Sequence, residues 1–376
     1  MKARVFREDD LDVWSELSQL LCQGEVVALP TETVYGLAAD ARNEAALHKI
    51  FEAKGRPLSD PLIVHVSERY ISKLELLQTE GLVDLKDLTQ PYRDLAQNLM
   101  NQFWPGPLSI LLPRGKSIPG LVTAGRDLVA LRCPDHPLFQ KVLATSGCPL
   151  AAPSANRFGR ISPTSAEDVF KELGDRIPAI LDGGPCRVGV ESTVVALSAD
   201  GRELSILRAG GVAAEDLAPF VDKLITPSSA ILEGDSDSNT PQIAPGQLLS
   251  HYAPRKKCVA LSFPEGSSST NFSESFLSEL GRQRIAFISA RSQSDSLLHK
   301  TALEKQGLLV VRLICLSPSE DDREVARRLF SVMRKQDESS EIDTIVLLLP
   351  TSTGKLWQAI SDRMMRAASG VLYKAH

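Results

Sequence analysis

Apolar residues in the first 222 positions occur mainly as short runs, and stretches with helical spacing are fewer. Short apolar runs bounded by Gly and Pro favour buried strands, whereas a repeat of three or four residues favours helices. The pattern predicts strands at residues 25–30, 62–66, 108–112, 128–133, 150–153, 179–181, 193–197 and 204–208. It predicts helices at residues 11–21, 46–54, 138–144 and 166–173. Many strands with few helices between them indicate an α/β domain with a twisted mixed sheet flanked by helices.

The pattern changes after residues 226–247, a segment rich in Ser, Pro, Gly and Asp, as is typical of a linker. Behind it, strands are predicted at residues 259–263, 285–289, 308–315 and 342–349, and helices at residues 273–280, 321–335 and 355–368. This alternation indicates a smaller, Rossmann-like α/β domain. A length of 376 residues suits two domains. We place them at residues 1–222 and 256–376, with a linker at residues 223–255.

Composition and charge narrow the class of protein. Charged residues make up 24% and the net charge is −5, which argues against a protein that mainly coats nucleic acid, because phosphate neutralisation needs concentrated Lys and Arg. The longest apolar runs, residues 308–316 and 345–349, are shorter than the roughly 20 residues needed to cross a bilayer. The first residues do not have a signal-peptide pattern, and six scattered cysteines without a C-x-x-C pair favour reduced thiols. These features predict a cytoplasmic protein without membrane contact.

Two polar motifs lie in the first third of the chain. The segment ALPTETVYGLAADA places Thr31, Glu32 and Thr33 directly after a predicted strand, where side chains can project into a cleft. An ordinary polar turn closed by Gly36 explains this segment equally well.

The segment KGRPLSDPLIVHV places Lys54 and Arg56 in a loop shaped by Gly and Pro, and Lys and Arg in such a loop suit polyphosphate. For Lys54 and Arg56 the alternative is a solvated surface patch. For His65 the alternative is a half-buried imidazole whose hydrogen bonds are satisfied.

Further polar groups follow later strands of the same predicted domain. Arg132 ends one strand, and Ser154 and Asn156 follow another, so neighbouring strand ends would bring them to one pocket. Ser192 begins a strand and Arg208 ends one, beside glycines that permit close backbone approach. The sequence contains no Walker A loop and no G-x-G-x-x-G fingerprint. The residues alone therefore predict a two-domain α/β enzyme that acts on a nucleotide or phosphoester, without identifying the substrate.

Seven segments resemble, in order and spacing, the YrdC-type threonylcarbamoyl-AMP synthase family: LPTETVYGLAADA, KGRPLSDPLIVHV, FWPGPLSILLP, VALRCPDHP, AAPSANRFGRISPTS, VGVESTVV and ILRAGG. The segment PGQLLSHYAPRK, with the Rossmann-like domain behind it, resembles the long two-domain form. The resemblance implies a YrdC-like sheet and a nucleotidyltransferase that forms threonylcarbamoyl-AMP and pyrophosphate from ATP, L-threonine and bicarbonate. The product would serve the threonylcarbamoyladenosine modification of tRNA, so tRNA and tRNA-modification proteins are implied partners. Mg²⁺ would accompany ATP.

The resemblance also implies which residues contact the substrates. The threonine side would be lined by Thr33, His65, Arg132, Ala152 and Ser192, with Arg132 as the partner of the threonine carboxylate. The ATP side would involve Arg56, Asp60, Leu128, Ser154, Ser162, Arg208 and Tyr252, with Lys54 and Asn156 in supporting roles. The linker that carries Tyr252 would act as a lid, excluding water from an intermediate that hydrolyses readily.

The chain departs from the family pattern at three places. Asp60 stands where the family often has Asn, and Leu128 replaces a frequent Thr, which leaves at most a backbone contact there. Ser361-Asp362-Arg363 stands where the family tends to have Asn before Arg.

Two other functions fit parts of the sequence. A tRNA or double-stranded RNA binding module would use Lys54, Arg56, Arg132 and Arg208 to grip phosphates, but the net acidity weighs against it. A carbamoyltransferase related to hydrogenase-maturation proteins would also contain zinc-finger cysteine pairs and an acylphosphatase region, neither of which is present in the sequence.

Overall fold

A computed structural model describes residues 2–226, 252–263 and 272–374 of the chain. The chain divides into two compact units, the first formed by Met1–Phe158 and Ser162–Gln247, and the second by Gly159–Ile161 and Leu248–His376. Most of the predicted linker at residues 223–255 lies outside the described residues. Its role as a lid, and the predicted boundaries at 222 and 256, therefore stay predictions.

The first unit is built on a mixed sheet of eleven strands. The strands are β1 (Arg4–Phe6), β2 (Val27–Leu29), β3 (Gly36–Asp40), β4 (Ile63–His65), β5 (Leu108–Pro113), β6 (Leu128–Arg132), β7 (Leu150–Ala151), β8 (Ala179–Leu181), β9 (Thr193–Leu197), β10 (Glu203–Arg208) and β11 (Lys223–Ile225). Their spatial order is β1-β8-β2-β3-β7-β4-β6-β5-β9-β10-β11. The parallel pair β4/β6 aligns His65 with Arg132, and the parallel pair β5/β9 aligns Leu108 with Thr193. The predicted fold class of this domain is confirmed.

Helices flank both faces of this sheet. They are α1 (Val13–Cys22), α2 (Glu44–Lys54), α3 (Leu74–Thr79), α4 (Gln90–Phe103), α5 (Pro137–Ser146), α6 (Ala166–Leu173) and α7 (Ala214–Leu217). One face, packed against α2, α3, α4 and α6, carries the larger apolar core. The other face is covered by α1 and α5 only across the half that contains β1, β8, β2, β3 and β7. On the remaining half of this second face, the apolar cluster of Ile63, Leu111, Ala130 and Val194 consists of strand residues alone. We call this region the strand-only face.

Strands β1, β3 and β11 and helices α3, α4 and α7 were not predicted. Helix α4 has the apolar spacing of an amphipathic helix, with Tyr92, Leu95, Ala96, Leu99 and Met100 buried, and Thr89 caps its first turn by accepting a hydrogen bond from the Tyr92 N–H. Helix α4 could therefore have been predicted from the sequence. Strand β3 has the sequence Gly-Leu-Ala-Ala-Asp, without the β-branched and aromatic residues that β-propensity favours.

A bulge in β10 sets the direction of its last side chain. Ile206 pairs with Val195, but Arg208 pairs with Val194, so Leu207 is an extra residue in the ladder. Val195 and Ile206 belong to the helix-covered core, whereas Leu207 packs with Val194 on the strand-only face. Because directly opposed residues share a face of a sheet, Arg208 also faces the strand-only side.

The second unit is a parallel five-stranded sheet with the order β14-β13-β15-β12-β16. Its strands are β12 (Lys257–Ser262), β13 (Arg284–Ser289), β14 (Leu309–Cys315), β15 (Thr344–Leu348) and β16 (Leu372–Lys374). Its helices are α8 (Glu274–Leu280), α9 (Gln293–Lys305), α10 (Asp322–Glu338) and α11 (Trp357–Ala367). Helix α9 and strand β16 were not predicted, but the parallel arrangement agrees with the predicted Rossmann-like domain. Among the described residues of both units, no helix has the length and hydropathy of a membrane span.

Candidate active site

The guanidinium of Arg132 ends strand β6 in a buried polar cluster. Its Nη2 donates to Glu32 Oε1 at 2.7 Å and to Thr33 Oγ1 at 2.8 Å, and its Nε donates to the carbonyl of Gly106 at 3.2 Å. The Thr33 hydroxyl also lies 2.8 Å from that of Thr31. Arg132 is 4% exposed, so the TETV loop and the end of β6 share one enclosed cationic centre. Thr33 and Arg132, which the resemblance assigns to the same side of the site, are in contact here, and their role in threonine binding stays a prediction.

A second buried cationic centre follows helix α2. Lys54 Nζ donates to the carbonyls of Ser154 at 2.6 Å and Asn156 at 2.5 Å, which joins the KGRP loop to the PSAN loop. Arg56 Nη2 donates to the Pro61 carbonyl at 2.7 Å and lies 3.0 Å from Asp60 Oδ1. Burial lowers the pKa of Lys54 and raises that of Asp60, although Arg56 and Lys54 oppose the shift at Asp60. The motif is therefore part of the folded interior and is not a solvated patch.

A third group links strands β5, β9 and β10. Arg208 Nη2 donates to the carbonyl of Ser192 at 2.9 Å and to its hydroxyl at 3.0 Å. The Ser192 hydroxyl lies 2.8 Å from that of Ser109. The Ser162 hydroxyl donates to Glu191 Oε1 at 2.6 Å, next to Ser192 in sequence. Hydroxyls from three separate motifs thus meet at the start of β9.

Main-chain hydrogen bonds bring these motifs together. The amides of Val188 and Gly189 donate to the carbonyls of Glu32 and Thr33, and the Ala155 amide donates to the Tyr35 carbonyl. The Ala152 amide donates to the Ile63 carbonyl at 3.0 Å, which places Ala152 beside β4. Gly36 lies so close to this segment that an added Cβ would be 3.2 Å from the Ala152 Cβ. The TETV segment is therefore joined by main-chain hydrogen bonds to both the SAN and the VGVEST segments, and we call these three segments the lining.

The strand-only face connects the Arg132 centre with the Lys54 centre. The register of β4 and β6 aligns Ile63 with Ala130 and His65 with Arg132. Leu128, Ala130 and Arg132 alternate onto the same face, since side chains two residues apart share a face. Leu128 is 40% exposed at the start of β6, and four residue steps place it about 13 Å from Arg132. The structure does not bring Leu128 to the Arg132 centre; it lies level with the segment that follows Asp60.

His65 is held neutral in its position on β4. Burial, and secondarily the charge of Arg132, lowers its pKa to about 3. Its ring lies 5.3 Å from that of Phe139, and its Nδ1 has no hydrogen-bond partner among the described residues. A neutral imidazole beside Arg132 adds no positive charge to the centre, but it can donate or accept one hydrogen bond.

The low pKa of His65 predicts a specific loss of stability in acid. Between pH 6.5 and about 3 the unfolded chain binds a proton at His65 that the folded chain does not, so the free energy of unfolding falls as pH falls through this window. Relative to His65→Gln, the wild type should lose about 2 kcal/mol more between pH 7 and pH 5. Urea unfolding of both proteins at the two pH values measures the difference. Parallel pH profiles would contradict a neutral, buried His65.

Tyr252 lies in the second unit. Its φ is 65°, a left-handed conformation that is uncommon for a bulky residue. Its ring centroid lies 5.3 Å from that of Phe330, and the guanidinium carbon of Arg363 lies 5.3 Å from the same centroid. Arg363 of the atypical Ser-Asp-Arg segment is thus an inward residue of helix α11. The ATP contact inferred for Tyr252 stays a prediction.

Three residues of the site were not among the predicted ligands. Glu32 pairs with Arg132, Ser109 contacts Ser192, and Glu191 accepts from Ser162. Each lies inside a quoted motif, but only the fold shows that its polar group turns inward. A buried charge or hydroxyl next to a predicted ligand is the signal that could have identified them.

The fold and the buried centres define the class of the molecule: an α/β enzyme with a YrdC-like catalytic sheet and a Rossmann-like second unit. Residues 19–210 match the family model described as "Telomere recombination", and residues 212–369 match "Threonylcarbamoyl-AMP synthase, C-terminal domain". The chain belongs to the threonylcarbamoyl-AMP synthase family, whose members are ATP-using nucleotidyltransferases.

Similar proteins support this membership along nearly the whole chain. Threonylcarbamoyl-AMP synthase of Bacillus subtilis is 39% identical over 95% of this chain and 93% of its own length. The synthase of Pyrococcus abyssi is 33% identical over 92% of this chain and 91% of its own length. The crystal structure of P. abyssi Sua5 complexed with L-threonine matches with a TM-score of 0.80 and 31% identity, covering 100% of both chains.

The burial of the cations bears on the RNA-binding alternative. Lys54, Arg56, Arg132 and Arg208 are between 3% and 8% exposed. An RNA backbone is gripped by cations on an accessible surface. These four side chains do not form such a surface, so this alternative is not supported.

Proposed function

We propose that the chain forms threonylcarbamoyl-AMP from ATP, L-threonine and bicarbonate, with pyrophosphate as the second product, at the lining described above. The observation that carries the proposal is the presence of buried cations at both ends of the strand-only face. Arg132 lies at one end, while Lys54, Arg56 and Asp60 lie at the other. A separation on the order of 10 Å between the ends of β6 suits an amino acid and a nucleotide bound end to end.

Threonine is assigned to the Arg132 end. Arg132 can bind a carboxylate through its planar guanidinium, and its Nη1 makes no hydrogen bond with the described residues. The hydroxyls of Thr33 and Ser192 and the neutral ring of His65 offer partners for the threonine amine and hydroxyl. The methyl group of Ala152, buried beside β4, suits the threonine methyl. In these assignments Arg132 orients the substrate, and the hydroxyls make the site selective for threonine.

ATP is assigned to the Lys54 end and to Arg208, which contacts Ser192 of the proposed threonine set. Arg56 and Arg208 carry the fork geometry that matches phosphate oxygens, and Ser154 and Ser162 supply hydroxyls. Lys54 uses two contacts to hold the carbonyls of Ser154 and Asn156, so its role is to fix the loop beside the phosphates. A main-chain contact from Leu128 completes the proposed ATP set of the first unit.

The reaction needs positioning more than it needs a protein nucleophile. The threonine nitrogen forms a bond to the carbon of bicarbonate or carbon dioxide and loses a proton, giving a carbamate. When bicarbonate is the donor, its C–OH bond breaks and the hydroxyl leaves with that proton as water. A carbamate oxygen then attacks the α-phosphorus, and the bond to the bridging oxygen of pyrophosphate breaks. Buried cations are well suited to this step because they stabilise the developing charge without reorganisation of solvent.

The residues fit a magnesium ion that enters with ATP. Oδ2 of Asp60 is buried without a hydrogen-bond partner among the described residues, and Oδ1 lies 3.0 Å from Arg56 Nη2. Mg²⁺ is commonly held by one or two carboxylates together with substrate phosphates and water. The described residues contain no cluster of three or more His, Cys, Asp or Glu that could hold a metal. Asp60 would therefore contribute one ligand, directly or through water, and the bound ion would share the phosphate charge.

The proposed biological setting follows from the product. Threonylcarbamoyl-AMP is an activated acyl donor for the modification of adenosine in tRNA, so the partners would be tRNA and tRNA-modification proteins. This chemistry takes place where tRNA, ATP and threonine occur together, which favours the cytoplasm.

The function is tested by incubation of the protein with ATP, threonine, bicarbonate and magnesium. We expect threonine-dependent release of pyrophosphate and a product with the mass of the mixed anhydride. Chelation of magnesium by excess EDTA should suppress both. Equal pyrophosphate release with and without threonine would exclude the proposed reaction.

A further inference from the structure

The carboxylate of Glu32 is a buried anion that the proposed function does not use. Oε1 of Glu32 accepts from Arg132 Nη2 at 2.7 Å, and Oε2 accepts from the Asp135 amide at 3.1 Å. The Glu32 carbonyl accepts from the Val188 amide at 2.8 Å. A single residue therefore joins the TETV loop, the segment after β6 and the segment before β9.

The exposure of Glu32 limits what it can do. Its side chain is 0% exposed, whereas that of Arg132 is 5% exposed. A substrate bound in the lining can therefore touch Arg132 without touching the Glu32 carboxylate. Any influence of Glu32 on threonine must act through the groups that it holds.

The hydrogen bonds of Arg132 show how this influence arises. Nε donates to Gly106, and Nη2 donates to Glu32 and Thr33. A guanidinium is planar, so fixing Nε and Nη2 also fixes the direction of the Nη1 hydrogens. The Arg132 side chain has then lost its conformational freedom before the substrate binds, so this entropy cost does not oppose binding.

We propose that Glu32 is a positioning residue, which orients the Arg132 guanidinium so that Nη1 faces the carboxylate of threonine. This proposal rests on the proposed function, because it assumes that Arg132 binds the amino acid. Glu32 also balances the charge of Arg132 in the absence of substrate, which keeps the guanidinium compatible with a buried position.

The main test is Glu32→Gln, which keeps the side-chain volume and removes the negative charge. We expect the Kd and KM for threonine to rise about 10- to 100-fold, since a misplacement of about 1 Å can cost that much. The Kd for ATP should change less than about twofold. Glu25→Gln is the control, because Glu25 pairs with Lys49 at the same 2.7 Å but is 38% exposed. Glu32→Asp serves if Glu32→Gln does not fold.

Two further measurements separate positioning from a general structural role. In the Arg132→Ala background, Glu32→Gln should not weaken threonine binding further, because the group through which it acts is gone. In NMR spectra without substrate, the Nε–H signal of Arg132 should exchange slowly with water in the wild type and quickly in Glu32→Gln. Additive losses in the double variant, equal losses for ATP and threonine, or unchanged threonine binding would each overturn the proposal.

The same measurements distinguish the two proposals if one fails. If the wild type neither binds threonine nor releases threonine-dependent pyrophosphate, the proposed function fails, and the role assigned to Glu32 fails with it even if the Arg132 signal changes. If the wild type does both and Glu32→Gln leaves the threonine Kd and the Arg132 signal unchanged, only the role of Glu32 fails.

Discussion

Arg132→Ala is expected to abolish threonine use and to destabilise the first unit. The substitution removes the carboxylate partner proposed for threonine and leaves Glu32 buried without its cation. Truncation of one partner in a buried charge pair costs about 2–5 kcal/mol of binding, so the Kd for threonine should rise roughly 10²- to 10³-fold. Stability should fall by about 3–5 kcal/mol. Calorimetric titration with threonine and urea unfolding measure the two effects.

Two control variants separate charge from geometry at Arg132. Arg132→Lys keeps a cation near Glu32 but loses the planar fork, so it should recover more stability than threonine affinity. Arg4→Ala removes an arginine that is 58% exposed and pairs with Glu16, and it should leave threonine binding unchanged. If Arg132→Ala binds threonine as the wild type does, the threonine end of the site is wrongly placed.

Arg56→Ala should mainly impair ATP binding and turnover. It removes a buried cation from the proposed phosphate end and leaves Asp60 without its ion pair. Loss of one preorganised donor to developing charge typically lowers kcat about 10²- to 10³-fold, and we expect a fall of that size together with a higher Kd for ATP. The Kd for threonine should change less than about twofold, because Arg132 and its partners are retained.

The control for this variant is Arg42→Ala. Arg42 lies in the same unit, is 42% exposed and pairs with Asp40, so its loss should affect neither substrate. Steady-state pyrophosphate release at varied ATP, with separate titrations of ATP and threonine, gives the comparison. An Arg56→Ala variant that loses threonine affinity as strongly as ATP affinity would show that the two ends are not separate.

The fold was predictable where the pattern of apolar residues was strong. The strands that contain Leu108, Leu131 and Val195 and the alternating second domain were predicted because their apolar runs are long enough to identify them. Strand β3, which lies between β2 and β7, was not predicted because it has no β-branched or aromatic residue. Strand order could not be predicted, since the pairing of β1 with β8 joins segments far apart in sequence.

The site was predictable only in part for a similar reason. The motifs identified polar residues at the ends of strands, but they could not show which side chains are already paired. The sequence does not show that Arg132 has a partner within the protein, whereas the structure places the buried carboxylate of Glu32 against it. Taken alone, Lys54 and Arg56 favour a solvated surface patch, and their burial excludes that interpretation.

The bulge in β10 determines which face of the sheet receives the guanidinium of Arg208. If β10 kept Leu207 but paired without the bulge, Leu207 would fall opposite Val194 and Arg208 opposite Thr193, whose hydroxyl donates to the Val212 carbonyl. The cation would turn away from Ser192 into the apolar layer under the helices, where nothing balances its charge. A shift of one residue in the pairing of this strand would therefore remove a proposed ligand as effectively as its substitution.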